Sequence, residues 1–216
     1  LYSAIQGTEG DDELFGTADV DFIYGLGGRD IIDGQAGADH MEGGLGDDVY
    51  FVDHSADTII ENGDSGFDEV RTGLEYYTLA WNVEALTGTD APYQQLEGNS
   101  LANLINGGAG NDFLIGELGN DIVDGGEDHD DLLVYGTGLD IANGGTGDEA
   151  LHLKYSDTND SLTNNGAGWE NLAGGRDGSF VAGFDRQVDY TSIERFYISA
   201  GGGDDDITTY AGNDEI

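Results

Sequence analysis

The sequence has no cysteine and a single proline, Pro92. Without cysteine, neither disulfides nor thiolate metal sites are available to hold the chain together. Basic residues are scarce: six Lys and Arg stand against 45 Asp and Glu, for a formal charge of −39. That balance argues against nucleic acid and anionic membrane surfaces as partners and in favour of cations. No apolar run approaches the roughly 18 residues that a membrane-spanning helix needs. No N-terminal signal peptide is visible. The chain opens at Leu1 without Met and closes at Ile216 inside a repeat, so it reads as a fragment of a larger protein.

Glycine is abundant, at 38 of 216 residues. High glycine and high charge alone would suit a disordered linker. A nine-residue period argues otherwise. Counted from Gly7, the chain reads GTEGDDELF, GTADVDFIY, GLGGRDIID, GQAGADHME, GGLGDDVYF. The first position is Gly7, Gly16, Gly25, Gly34, Gly43; the sixth is Asp12, Asp21, Asp30, Asp39, Asp48; the eighth is Leu14, Ile23, Ile32, Met41, Tyr50. A second array from Gly98 places Asn103, Asp112, Asp121, Asp130 at the sixth position and Ile105, Leu114, Val123, Leu132 at the eighth. One extra residue then shifts the frame, and Asp140/Ala142 and Glu149/Leu151 follow. A third array starts near Ala200, with Asp205/Ile207 and Asp214/Ile216. All nine eighth positions of the two main arrays are apolar, which a flexible linker has no reason to maintain.

These nonapeptides, G-G-x-G-x-D-x-U-x in outline, resemble the RTX, or haemolysin-type calcium-binding, family. The resemblance implies an all-β fold, a right-handed parallel β-roll or β-solenoid with wider irregular coils between the arrays. It divides the chain into a first array over 1–51, wider solenoid coils over 52–97, a second array over 98–153, an aromatic-containing spacer over 154–199 and a truncated third array over 200–216. It further implies a bacterial protein that is secreted or held at the cell surface. In that family the repeats are folding and export modules for type I secretion, beside protease, lipase, epimerase or cytolysin domains. They also occur as structural segments of adhesins and surface-layer proteins. The flanking sequence of the parent protein would separate the two.

Elementary chemistry supports calcium independently. Six residues make a turn and three a short strand, with the eighth side chain facing inward. If each nonapeptide is half a coil, residues 18 apart stack, giving Asp12–Asp30–Asp48, Asp21–Asp39, Asn103–Asp121 and Asp112–Asp130. Stacked strands lie about 4.8 Å apart and calcium–oxygen bonds are about 2.4 Å, so an ion fits between two stacked carboxylates. Turn carbonyls from both coils would complete six to eight oxygens. The candidate carbonyl donors are Gly10, Gly25, Gly28, Gly37, Gly44, Gly46, Gly108, Gly110 and Gly119. Five well-formed sites are expected, at 12/30, 21/39, 30/48, 103/121 and 112/130, with Asn103 weakening its own; Asp205 and Asp214 belong to a further set in the third array. Asp140 and Glu149 would form irregular sites, and Asp19 and Asp128 stand where a fourth-position glycine is expected. Zn²⁺ would want His or Cys, and the four histidines (His40, His54, His129, His152) have no ligand spacing.

Without ions, each stacked pair sets like charges about 5 Å apart, costing roughly 1 kcal/mol in water and more in a buried turn. A core made of one file of eighth-position side chains cannot offset several such pairs. Folding is therefore expected to depend on calcium, at the affinities near 10⁻⁴–10⁻³ M, to order of magnitude, of extracellular modules.

Between the arrays, Asp57–Ile60, Asp68–Val70, Tyr76–Leu79 and Val83–Leu86 read as strands that continue the solenoid. With no register visible, the acids of 52–97 read as solvated turn residues. The aromatics of 154–199 (Trp169, Phe180, Phe184, Tyr190, Phe196, Tyr197) read as core or capping packing ahead of a partner surface. No H-E-x-x-H, G-x-S-x-G or P-loop is present, and the acid pairs are explained as ligands, so the fragment is not itself expected to be catalytic. Ninth positions Phe15, Tyr24, Asp33, Glu42 and Phe51 form no ladder of identical residues, against ice binding. Exposed aromatics such as Phe22, Tyr24 and Phe51 suit either sugar binding or coil-to-coil stacking. A cell-surface or polysaccharide partner would be met through the parent protein.

Overall fold

The computed structural model describes residues 3–63, 66–89, 91–136, 138–154, 162–164, 169–170, 176–182 and 186–199, and every regular element among them is a β-strand. Asp205, Asp214 and the rest of the third array lie outside the described residues, as do Phe184 and the Trp169 side chain. Within the two arrays the strands run from three to seven residues, because every nonapeptide also carries a turn. Glu13–Phe15 pairs in parallel with Ile31–Asp33, and that strand with Val49–Val52, in the register Leu14↔Ile32↔Tyr50. On the opposite side Ser3–Gln6, Asp21–Gly27, His40–Leu45 and Thr58–Ile59 stack as Ile5↔Ile23↔Met41↔Ile59. The second array repeats the pattern with Ile105↔Val123 and Leu96↔Leu114↔Leu132. The fold is thus a parallel β-solenoid in which two nonapeptides make one coil.

The coils over 52–97 keep this register despite their altered lengths. Tyr50↔Val70↔Leu86↔Ile105 is one unbroken file, through steps of 20, 16 and 19 residues. One sheet of 12 strands therefore runs the length of the solenoid. The other side is divided into a four-stranded and a six-stranded sheet, and the division falls between Thr58–Ile59 and Tyr76–Thr78.

The core is not one file of side chains but two that meet inside the coil. Ile32, Tyr50, Val70, Leu86, Ile105 and Val123 come from the long sheet; Ile23, Met41, Leu96, Leu114, Leu132 and Leu151 face them, and all are fully buried. Alternation along the strands accounts for this, since each half-coil contributes at least one inward side chain. Beyond the second array, Arg176–Ala182 and Arg186–Ile193 form an antiparallel pair that joins the long sheet alongside Gly138–Asn143. Phe180, Tyr190 and Phe196 are buried there, with ring centroids 5.0–5.7 Å apart, so these three aromatics are core packing.

Turn stacking leaves no room for side chains at certain glycines. Gly46 has φ +124°, and a Cβ there would collide with the carbonyl of Gly28 in the preceding coil. Gly46→Val is expected to destabilise the calcium-saturated chain by about 2–5 kcal/mol, from left-handed strain plus overpacking. Gly10→Ala, at the same repeat position but with ordinary φ and open space around it, should stay within about 0.5 kcal/mol. Chemical denaturation of the two variants side by side measures the difference.

Candidate cation sites

The sixth residue of each repeat lies directly before a strand, where the backbone of the neighbouring coil needs an acceptor. Asp30 Oδ1 accepts the Asp12 N–H (2.9 Å), Asp39 that of Asp21 (2.8 Å) and Asp48 that of Asp30 (2.8 Å). Asp121 accepts from Asn103 (2.9 Å) and Asp130 from Asp112 (2.8 Å). The structure thus brings together all four stacks named from the spacing. The columns also run on. Asp57 accepts from Asp39, Asp68 from Asp48, Glu84 from Asp68, Asp112 from Gln94 and Asp140 from Asp121. The reading of the acids over 52–97 as solvated and out of register is corrected here: Asp68 is fully buried and Asp57 half-buried within the columns. Coil length varies there, but Asp48, Asp68 and Gln94, each directly before a strand, still present the same N–H.

The other carboxylate oxygen carries the chemistry. Oδ2 of Asp30, Asp39, Asp48, Asp112, Asp121 and Asp130 is buried and receives no hydrogen bond. A buried charged acceptor without a partner costs several kcal/mol. Asp30 Oδ2 faces the space beside Gly25 that a side chain would fill, and the Gly43 carbonyl of the next coil converges on it. Asp112 Oδ2 and the Gly125 carbonyl converge in the same way beside Gly107, at 2.9 and 2.6 Å from where its Cβ would lie. Asp130 Oδ2 and the Gly144 carbonyl do so beside Gly125. First-position glycine is therefore required for vacant volume, since none of these three takes a positive φ. A cradle of carboxylate and carbonyl oxygens, without a donor, nitrogen or sulfur, fits a hard cation such as Ca²⁺.

The sites are unequal in a way the spacing did not disclose. Asp12 and Asp21 occupy the first two repeats, and their Oδ2 atoms already accept from the N–H and hydroxyl of Thr8 and Thr17 at 2.6–2.9 Å. Asn103 is also committed: its Oδ1 accepts the Asn99 N–H (2.8 Å), and its amide nitrogen reaches the Val83 carbonyl (3.3 Å). Strong cradles are thus concentrated at the inner repeats. Among the fourth- and second-position glycines, Gly28, Gly44, Gly46, Gly108, Gly110 and Gly119 take positive φ, whereas Gly10 and Gly37 do not. Asp128 keeps the left-handed turn at φ 76° in place of glycine.

Burial pushes the carboxyls of Asp48, Asp68, Asp121 and Asp130 up to about 7, and those of Asp112 and Asp140 to about 6. Burial also raises Asp30 and Asp39. The N–H bond to Oδ1 opposes the rise in each case, and the stacked acid of an adjoining coil adds to it for Asp30, Asp39, Asp48, Asp68, Asp121 and Asp130. Glu149 is fully buried at the end of the Asp112–Asp130 column and is raised by burial and by Glu194 beside it.

Two features were not read from the sequence. Fifth-position Asp11, Asp47, Asn111 and Asn120 each accept a backbone N–H of the next coil, at 2.8–3.0 Å. Their polar character at a fixed slot was the available signal. Glu61 is buried, and one oxygen each of Asp48, Glu61 and Asp68 lies within 4.8 Å of the others.

Parallel coils with oxygen cradles between their turns define a cation-binding β-roll. The RTX calcium-binding nonapeptide repeat matches in four copies, at 4–32, 15–50, 97–132 and 197–216. The chain belongs to the RTX calcium-binding repeat family, and its repeats make it a structural, calcium-binding module rather than a catalytic one. A search of curated proteins returned no match.

Proposed function

We propose that this chain is a module that folds when calcium binds between its coils outside a bacterial cell, supporting type I secretion and stabilising an attached extracellular protein. The observation that supports it is the set of buried Oδ2 atoms without donors, facing glycine carbonyls of the next coil. The ions would sit at 30/48 and 112/130, with 12/30, 21/39 and 103/121 weaker because threonine competes for Asp12 and Asp21 and because Asn103 is already held by Asn99 and Val83. Asp39/Asp57, Asp121/Asp140 and Asp130/Glu149 extend the set, and the third array would add Asp205 and Asp214. In a cytosol poor in calcium the uncompensated acids keep the chain loose enough to export. Millimolar calcium outside supplies the missing partners, and binding energy becomes folding energy.

Far-UV circular dichroism over a calcium titration, from chelator to about 10 mM, tests this at the affinities expected of extracellular sites. A cooperative gain of β signal with Ca²⁺, absent with Mg²⁺, is the expected result. Mg²⁺ holds its water and demands a tighter octahedron than stacked coils offer. A chain already β-rich in chelator would overturn the folding-on-export reading and favour a constitutively folded segment of an adhesin or surface-layer protein.

A further inference from the structure

The end of the first array is built differently from its interior. Glu61 falls eighteen residues after Gly43, at the place where the repeats carry their first-position glycine. Its side chain is buried. The Tyr50 hydroxyl donates to the Glu61 carboxylate and accepts the Gly43 N–H (2.6 Å). The Glu61 carbonyl accepts from the Asn82 side chain (2.9 Å), so the residue is fixed at both ends. Asp68 follows on a coil lengthened to 20 residues, and its Oδ1 accepts the Asp48 N–H (2.9 Å). Asp48 Oδ2 is fully buried and without a hydrogen bond, and it lies with the Tyr50 hydroxyl around the Cβ position of Gly43. One oxygen each of Asp48, Glu61 and Asp68 falls within 4.8 Å of the others. Oxygens bound to one calcium ion are at most about 5 Å apart, twice the bond length of about 2.4 Å.

We propose that Asp48, Glu61 and Asp68 form a three-carboxylate calcium site that closes the first array and binds more tightly than any nonapeptide site of this chain. An ordinary cradle offers two stacked side chains and turn carbonyls. This one adds a third negative ligand, and charge count together with rigidity sets calcium affinity over several orders of magnitude. Tyr50 is a positioning residue: it holds Glu61 toward the ion and touches the ion through nothing else. The three acids would be the first to fill as calcium rises, ordering the coil on which the irregular segment stacks. The proposal rests on the calcium reading of the arrays, because their ions fold the coils on either side.

Competition between the full chain and a chromophoric calcium chelator tests it, since tight steps are resolved before weak ones fill. The wild-type chain is expected to show one site at least tenfold tighter than the rest. Glu61→Gln and Glu61→Gly should each weaken that step at least tenfold, with circular dichroism in saturating calcium unchanged. Tyr50→Phe should weaken it less, and Glu9→Gln, which removes one exposed charge, should leave it alone. Retention of the tight step in both Glu61 variants overturns the site while leaving the array reading intact. An equal loss in Glu9→Gln overturns it as well, by reducing it to bulk charge. Failure of both Glu61 variants to fold in saturating calcium also overturns it, because glycine is the repeats' own residue there and only a structural role would remain. A wild-type chain that binds no calcium overturns the array reading with it.

Discussion

Asp30→Ala is expected to lower the stability of the calcium-saturated chain by about 3–5 kcal/mol and to raise the calcium concentration needed for folding at least tenfold. Two losses combine. The part-buried Asp12 N–H loses its acceptor, at about 1–3 kcal/mol. An ion is also lost, and at about 10 mM calcium a site of 10⁻⁴–10⁻³ M contributes about 1.4–2.7 kcal/mol. Asp12→Ala removes the same residue type from the same repeat position. Its carboxylate is only half-buried, and threonine already satisfies its Oδ2. It should cost under about 1.5 kcal/mol, the range of one ordinary hydrogen bond. Urea denaturation of both variants in saturating calcium separates them. Equal effects would mean that the two carboxylates have equivalent surroundings, contrary to the geometry.

The second large effect concerns protons. In the calcium-free chain, acidification from pH 8 to about 5.5 should restore a substantial part of the β signal. Buried Asp48, Asp68, Asp121 and Asp130 are pushed up to about 7 in the fold, against an ordinary carboxyl value of 3.8. The fold thus takes up protons that the unfolded chain releases. By linkage, this contribution is fully present below the unfolded value and is lost as pH rises through the folded one. The metal-free fold is therefore most disfavoured above pH 7 and gains as pH falls through 7 toward 4. A proton silences the same carboxylate that calcium would neutralise. Circular dichroism in chelator across this pH range is the measurement, and a flat or falling β signal on acidification would contradict it.

Periodicity carried most of the fold. The eighth positions became the core files, and the spacing of 18 became the sheet register. The acid columns were legible for the same reason, since a residue before a strand stacks wherever strands stack. The segment over 52–97 was harder because its turns gain and lose residues, which destroys the period while leaving the strands able to pair. Tyr77 above Leu96 shows this: no nine-residue count links them, but both are inward side chains on consecutive coils. The inequality among sites was hidden for another reason. Thr8 and Thr17 look like ordinary turn residues until their hydroxyls are seen on the neighbouring aspartates. Glu61 breaks the pattern, and patterns do not report their own exceptions.

The divided side of the solenoid bears on how the chain responds as a whole. In a stack where each coil touches only its neighbours, stability is a chain of local terms and nearest-neighbour couplings, as in a one-dimensional lattice. Between Thr58–Ile59 and Tyr76–Thr78, among the described residues, strand pairing passes through the long sheet alone, supplemented by core packing and the Asn82–Glu61 hydrogen bond. Such a weak link is where a boundary between ordered and disordered blocks settles at least cost. Calcium uptake should therefore proceed as two cooperative blocks in series, and the steepness of each transition should report the number of coils on its side of the boundary.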